Sequence, residues 1–369
     1  MTQDRSWGFR TRALHAGGGP DPTTGARAVP IYQTTSFVFE DTADAANLFA
    51  LQKYGNIYSR IANPTVAAFE ERIASLEGGL GAVATSSGQA AEFLTFAALA
   101  GAGDHIVAGA GLYGGTVTQL DVTLRRFGVE TTFVPGADIV IHSATKFLGG
   151  HGTTIGGVVV EAGRFDWGNG RFPTLTEPVP AYGGLSWWGN FGEYGFLTKL
   201  RSEQLRDIGA TLSPHSAFLL LQGVETLAQR MDEHVANAQR VAGWLEADER
   251  VAWVRYAGLE SHPHHARAVR YTPAGPGAVF SFGVVGGREA GRALIESLEL
   301  CSHLANIGDT RTLVIHPAST THQQLSDRQL EAAGVGADLV RISVGLEDVE
   351  DILWDLDQGL AVATKPVDR

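Results

Sequence analysis

Lysine is scarce in this sequence: only Lys53, Lys146, Lys199 and Lys365 occur, and arginine carries most of the positive charge. Lysine is the cation that can form a Schiff base, so each of the four raises a question of chemistry. Lys146 has the most informative surroundings. The run Ala137-Asp138-Ile139-Val140-Ile141-His142 reads as a buried strand that delivers Ser143, Thr145 and Lys146 to its C-terminal end, where open α/β sheets place ligands. Two hydroxyls two residues apart, with an amine beside them, suit a phosphate ester whose aldehyde condenses with the lysine. Gly149, Gly150 and Gly152 follow and let backbone come close. A surface lysine followed by a flexible turn is the plain alternative.

Four further features could serve the same chemistry. Ser86-Ser87-Gly88-Gln89-Ala90 lies between a strand and a helix, and the free N–H groups of a helix start make a phosphate cradle. In Leu112-Tyr113-Gly114-Gly115-Thr116 an aromatic ring on a glycine turn could stack on a flat cofactor, or simply be a core tyrosine. Tyr58-Ser59-Arg60 lies in an irregular N-terminal stretch. Arg341 sits inside Val340-Arg341-Ile342-Ser343-Val344, a predicted buried strand, where a charge needs a partner. Either a carboxylate substrate held by both guanidinium nitrogens or an internal salt bridge would supply one.

The elements that must position these residues fall into three parts. Residues 1–62 read as a turn-rich arm of the kind that lies on a neighbouring subunit; only Thr42 to Tyr54 is periodic. Residues 63–212 begin with a helix opened by Pro64, with Val66, Phe69, Ile73 and Leu76 spaced for one face. Strand then alternates with helix: Ala82 to Thr85, a helix over Ala90 to Ala100, His105 to Ala108, Ala137 to His142, and Gly156 to Glu161. That alternation predicts a parallel sheet covered on both faces. Phe165 to Leu200, with Trp167, Trp187 and Trp188, reads as an aromatic-packed loop. Residues 213–369 form a second, smaller α/β domain. Its strands are expected at Val251 to Arg255, Val279 to Val285, Leu294 to Leu298 and Leu339 to Val344, followed by a helix turning Val349, Ile352, Leu353, Leu356 and Leu360 inward.

Bulk properties exclude other classes. With 369 residues, 44% hydrophobic and 18% charged, the chain can bury a sizeable core. A net charge of -12 weighs against nucleic acid, which wants a basic stripe. No apolar run reaches the roughly 20 residues that span a bilayer, and Met1 to Ala16 has no apolar signal core. A cytoplasmic location is expected. Cys301 is the only cysteine, so no intrachain disulfide exists, and it reads as a buried small hydrophobe. His262-Pro263-His264-His265 is broken by proline and is not expected to bind metal. His151 and His316 have no assigned role.

Taken together, these segments resemble the Cys/Met-metabolism family of pyridoxal-phosphate enzymes. The matching stretches run in order along nearly the whole chain: Thr11 to Gly17, Pro30 to Phe37, Tyr58 to Thr65, Ser143 to Phe147, Asn306 to Asp309, His316 to His322 and Arg341 to Asp348. The resemblance implies a fold type I transferase-like α/β fold, with a mostly parallel sheet in the large cofactor domain. It implies pyridoxal 5'-phosphate on Lys146, which would also move protons. Gly88, Gln89, Ser143 and Thr145 would bind the phosphate, joined by Tyr58 and Arg60 from a neighbouring subunit. Tyr113 would stack on the ring, and Arg341 with Asn306 would hold the substrate carboxylate. A shared site makes a homodimer the minimum and a homotetramer the family habit.

Within the family, Asn306 to Asp309 and His316 to His322 look most like O-acetylhomoserine sulfhydrylases. These replace acetate by sulfide to give homocysteine in methionine biosynthesis. Tyr113-Gly114-Gly115 has glycine where methionine γ-lyases have cysteine. The other readings are a cystathionine γ-synthase or γ-lyase of the same family and, from another class, an inactive structural or regulatory homologue.

The chain departs from the family at Gly136–Ala137. The family carries several tens of residues there, including an Asn-Pro turn and a strand ending in the aspartate that pairs with the pyridine nitrogen; Asp138 is not that residue. Two parallel neighbours need a crossover, and a strand–helix–strand unit takes roughly 30 residues or more. Val134-Pro135-Gly136-Ala137 cannot supply one, so the flanking strands cannot both keep parallel places. Either the protein carries the segment and this sequence joins its ends, or the protein lacks it. Intact mass separates the two. A value above 39.2 kDa by several tens of residues is expected, and 39.2 kDa itself means true absence, weak cofactor binding and little turnover.

Overall fold

The computed structural model describes residues 7–108, 116, 119–133, 139–323, 326, 328, 330 and 334–364. Tyr113 and the 136–137 junction lie outside the described residues. The chain divides into two compact units, Met1–Thr226 and Leu227–Arg369. That division falls later than the expected 212, because the helix Pro214–Glu225 buries Leu220, Leu221 and Val224 in one core with Phe69, Ile73 and Val158.

In the first unit the arm holds α1 (Phe9–His15) and α2 (Thr42–Phe49), whose start is capped by the Asp41 carboxylate. Then come α3 (Pro64–Glu77), β1 (Gly81–Thr85), α4 (Gly88–Leu99), β2 (His105–Ala108), β3 (Glu130–Phe133), β4 (Ile139–Ser143), β5 (Gly157–Glu161) and α5 (Pro214–Glu225). Asn63 caps α3, with Pro64 in its first turn as the sequence predicts. The stretch between β5 and α5 is not a bare loop. Short helical turns there bury Trp167 and Trp187, and Trp167 stacks on Phe196 at 5.2 Å.

Two sheets form where one parallel sheet was expected. One has the order β1-β5-β4, with β5 antiparallel to both neighbours, so β1 and β4 run the same way. The other is the parallel pair β2–β3. Among the described residues β3 and β4 therefore occupy different sheets, and the short connection between them could not have joined them as parallel neighbours.

The two margins of the three-stranded sheet differ. On β1, the Ala84 N–H donates to Glu70 Oε1 at 2.7 Å, and Arg201 donates to the Ala82 carbonyl at 3.2 Å and to Glu70 Oε2 at 2.7 Å. This ion pair seals that edge. β4 has no strand on its outer side among the described residues, and Val140 there is 42% exposed while every residue of β5 is buried.

The second unit begins with α6 (Leu227–Glu246) and adds β6 (Val251–Arg255), β7 (Val279–Val284), α7 (Gly287–Ser297), β8 (Ser302–His303), β9 (Leu313–Ile315), β10 (Leu339–Ser343) and α8 (Val349–Ala363). Its sheet order is β6-β7-β10-β9-β8. The expected strand at Leu294 to Leu298 is a correction: Leu294 and Ile295 are buried on helix α7 instead. α8 turns Ile352, Leu353, Leu356 and Leu360 inward as predicted. Asp355, also buried there, accepts the N–H groups of Glu299, Leu300 and Cys301 at 2.8, 3.0 and 2.8 Å. Burial pushes the Cys301 thiol far up, which suits an inert core residue.

Glu161 closes β5 with its side chain buried. Trp167 Nε1 donates to its Oε1, and Oε2 has no hydrogen-bond partner among the described residues. Burial pushes this carboxyl from 4.5 up to about 7 against the Trp167 hydrogen bond, with Glu193 adding to the rise. The folded state therefore holds the proton more tightly than the unfolded chain. Its stabilising effect is complete below 4.5 and is lost as pH rises through about 7. In urea titrations across that range, wild type should lose on the order of 2 kcal/mol relative to Glu161→Gln. Parallel pH profiles for the two proteins would contradict this.

Candidate active site

α4 starts where the Ser87 hydroxyl accepts the Ala90 N–H at 3.1 Å and the Ser87 carbonyl takes that of Ala91 at 3.0 Å. Among the described residues this leaves the N–H groups of Gly88 and Gln89 without acceptors, at the positive end of a twelve-residue helix. The end of β4 lies directly against it. A Cβ built on Gly88 would stand 2.8 Å from Ser143 Cβ and 3.1 Å from its Oγ, and a Cβ on Gly157 would stand 2.1 Å from the Ser87 carbonyl oxygen. Ser143 Oγ makes no hydrogen bond among the described residues. Two bare N–H groups and a serine hydroxyl thus lie close together, a donor set that fits a phosphate.

Lys146 follows on a turn fixed at several points. The Lys146 N–H donates to the Ser143 carbonyl at 3.2 Å, and the Lys146 carbonyl accepts from Gly150 at 2.7 Å. Ala144 is fully buried in the core with Leu212 and Leu220. Thr145 Oγ1 donates to the Gly156 carbonyl at 3.2 Å and accepts the Gly156 N–H at 3.1 Å. Its only proton is therefore engaged, so Thr145 anchors the turn rather than donating to a phosphate. α5 holds the far side, where a Cβ on Gly223 would lie 2.1 Å from the Gly149 carbonyl oxygen.

Tyr58 and Arg60 are exposed, with the Arg60 guanidinium carbon 5.4 Å from the Tyr58 ring centroid. No hydrogen bond of the single chain joins either side chain to Gly88 or Ser143. In the second unit, Arg341 sits mid-strand between Ser281 and Ile315 and donates to the Asn306 carbonyl at 3.2 Å. The Gly308 N–H donates to Ser343 Oγ at 2.9 Å, fixing the 306–309 loop on β10. His316 is structural: Nε2 meets the Ala337 carbonyl at 2.9 Å and Nδ1 the Ser319 hydroxyl at 2.8 Å, while burial pushes its pKa down. Among the described residues no group of three His, Cys, Asp or Glu could hold a metal, and no helix is long and apolar enough to cross a membrane. Sequence reasoning missed Glu70 and Arg201, although a glutamate between Phe69 and Ile73 on a buried helix face was a readable sign of an internal partner.

The arrangement, a lysine on a rigid turn beside a phosphate cradle at a strand end, is that of an α/β enzyme using a phosphorylated aldehyde. The family described as Cys/Met metabolism PLP-dependent enzyme matches residues 10–136 and 135–361, and the chain belongs to this family. It is 47% identical to the sulfhydrylase FUB7 of Fusarium oxysporum f. sp. lycopersici, over 96% of this chain and 98% of that protein. It is 46% identical to O-acetyl-L-homoserine sulfhydrylase 1 of Thermus thermophilus, over 96% and 100%. A crystal structure of a putative O-acetylhomoserine (thiol)-lyase from Campylobacter jejuni, carrying N'-pyridoxyl-lysine-5'-monophosphate, superposes with a TM-score of 0.91 at 31% identity, covering 96% of this chain and all of that one. The fold is the α/β fold type I, and the cofactor of the family is pyridoxal phosphate.

The two matched stretches meet at Pro135–Gly136. The alignment with the Fusarium protein spans 422 residues against the 369 of this chain, so at least 53 of its positions have no residue here. The residues present fit the phosphate and the aldehyde of the cofactor. The ring-nitrogen partner expected from the resemblance belongs to the segment that has no counterpart between Gly136 and Ala137 of this sequence. Gly88→Ala should push the start of α4 off Ser143 and weaken pyridoxal phosphate binding by about tenfold or more, the equivalent of 1.4 kcal/mol. Its far-UV circular dichroism should be unchanged, and unaltered affinity would remove Gly88 from the cradle.

Proposed function

We propose that the protein is an O-acetylhomoserine sulfhydrylase, converting O-acetylhomoserine and sulfide to homocysteine and acetate. The observation that carries this reading is likeness over nearly the whole chain, at 40–46% identity, to relatives named for this activity or for homocysteine synthesis. Bound pyridoxal phosphate supplies the electron sink for loss of the Cα and Cβ protons. Lys146 Nζ holds the cofactor at rest and then moves those protons. The N–H groups of Gly88 and Gln89 and the Ser143 hydroxyl bind the phosphate. Thr145 keeps the lysine turn in place, and Tyr113, which lies outside the described residues, would stack on the ring as the family resemblance implies. Arg341, which donates to the Asn306 carbonyl, would bind the substrate carboxylate, as the family resemblance implies. Acetate then leaves the γ-carbon and sulfide takes its place.

Tyr58 and Arg60 reach the phosphate of a second copy, which makes the working form a homodimer or homotetramer in the cytoplasm. Support comes from the arm, where Trp7, Val38, Phe49, Tyr54 and Tyr58 all stand exposed in one chain. A second reading, an inactive homologue that keeps the fold, is favoured by one observation: at least 53 aligned positions have no residue here (422 against 369).

Borohydride reduction of cofactor-loaded protein followed by peptide mass analysis tests the chemistry. A pyridoxyl group at position 146, absent from Lys146→Ala, is expected; a label elsewhere or none ends the proposal. Product analysis with sulfide, with cysteine and with no nucleophile then separates the sulfhydrylase from a γ-synthase and a γ-lyase. A labelled protein that forms no product is the inactive homologue.

A further inference from the structure

Glu92 has no part in the chemistry above, yet it is built into the same helix start. It lies half-buried on α4, one turn beyond Gln89, and uses both carboxylate oxygens. Oε2 accepts from Gln89 Nε2 at 2.7 Å, and Oε1 accepts from the hydroxyl of Thr116, a buried residue, at 2.6 Å. Gln119 Nε2 donates to the Gln89 carbonyl at 3.3 Å, so two side chains, Glu92 and Gln119, hold this one glutamine. Gln89 occupies the second position of α4, where its backbone N–H is one of the two bare donors of the cradle.

A glutamine in the first turn of a helix is itself a capping residue: its side-chain carbonyl can turn back onto free N–H groups. Left unrestrained, the Gln89 amide would compete with a phosphate for the donors that bind it. Glu92 takes the amide N–H₂ and holds the side chain along the helix, away from its start. A carboxylate there has a cost, since burial pushes the Glu92 pKa up against the hydrogen bonds from Thr116 and Gln89. An apolar residue would pack the same helix face without that cost but could not hold the amide.

We infer that Glu92 is a positioning residue for the cofactor phosphate, a latch that keeps the Gln89 side chain out of the cradle. This rests on the proposed reading of the site. The experiment compares apo-protein of wild type, Glu92→Ala, Glu92→Gln and the double variant Glu92→Ala/Gln89→Ala. Each is titrated with pyridoxal phosphate and with pyridoxal, which lacks the phosphate, and the thermal midpoint of each apo-protein is recorded.

Glu92→Ala should weaken pyridoxal phosphate binding by about tenfold, the loss of one hydrogen bond to a charged group. Its affinity for pyridoxal should not change. Glu92→Gln should recover most of the loss, because its amide oxygen still accepts from Gln89. Removing the Gln89 side chain as well should also recover it, because nothing then competes for the donors. Equal loss for both ligands, or a double variant as weak as Glu92→Ala, overturns the latch. Wild-type protein that binds neither ligand overturns the site reading, and the latch with it.

Discussion

Ser143 and Gly88 stand so close that neither can carry any additional atom on the facing side. The rest of the site depends on that contact. It brings the positive start of a helix to the end of a strand without a side chain between them, and so leaves two backbone donors and a hydroxyl close together. The packing that maintains it is equally tight. Gly157 fits under the Ser87 carbonyl, and Gly223 lets α5 press on the Gly149 carbonyl. Lys146 inherits its position from these contacts, since its turn is anchored on both sides before the lysine side chain makes any interaction of its own.

What could be read from the sequence was whatever is local along the chain. α3 and α8 were legible because their apolar residues repeat at helical spacing, and those residues are the ones buried. Ser143 to Lys146 was legible because strand, turn and amine are contiguous. Leu294 to Leu298 was misread because five residues, with Glu296 and Ser297 among them, are too few to show a period that separates strand from helix. β8 and β9, two and three residues long, are too short to leave a pattern. Glu70 with Arg201, and Glu92 with Thr116, escaped because each pair joins residues far apart in sequence, and only the fold makes them neighbours. For Tyr58, Arg60 and Arg341 the sequence supplied residue types, while the roles came from resemblance alone.

The discontinuity at Gly136 shows in three ways. The connection is too short for a parallel crossover, β3 and β4 lie in separate sheets, and the family match divides at Pro135–Gly136. The half-exposed face of β4 is the physical counterpart of that division. A strand of Ile, Val and Ile is the composition of a sheet interior, yet here it forms a margin.

The contrast between the two margins also gives the sheet a direction of growth. Glu70 and Arg201 occupy the outward groups of β1, so no strand can be added there without first breaking a partly buried ion pair. Additions are confined to the β4 side, while the anchors of the lysine turn all lie toward β5 and α5. An addition at the open margin would therefore leave the amine in place, because that margin and the anchors of the lysine turn sit on opposite sides of one strand.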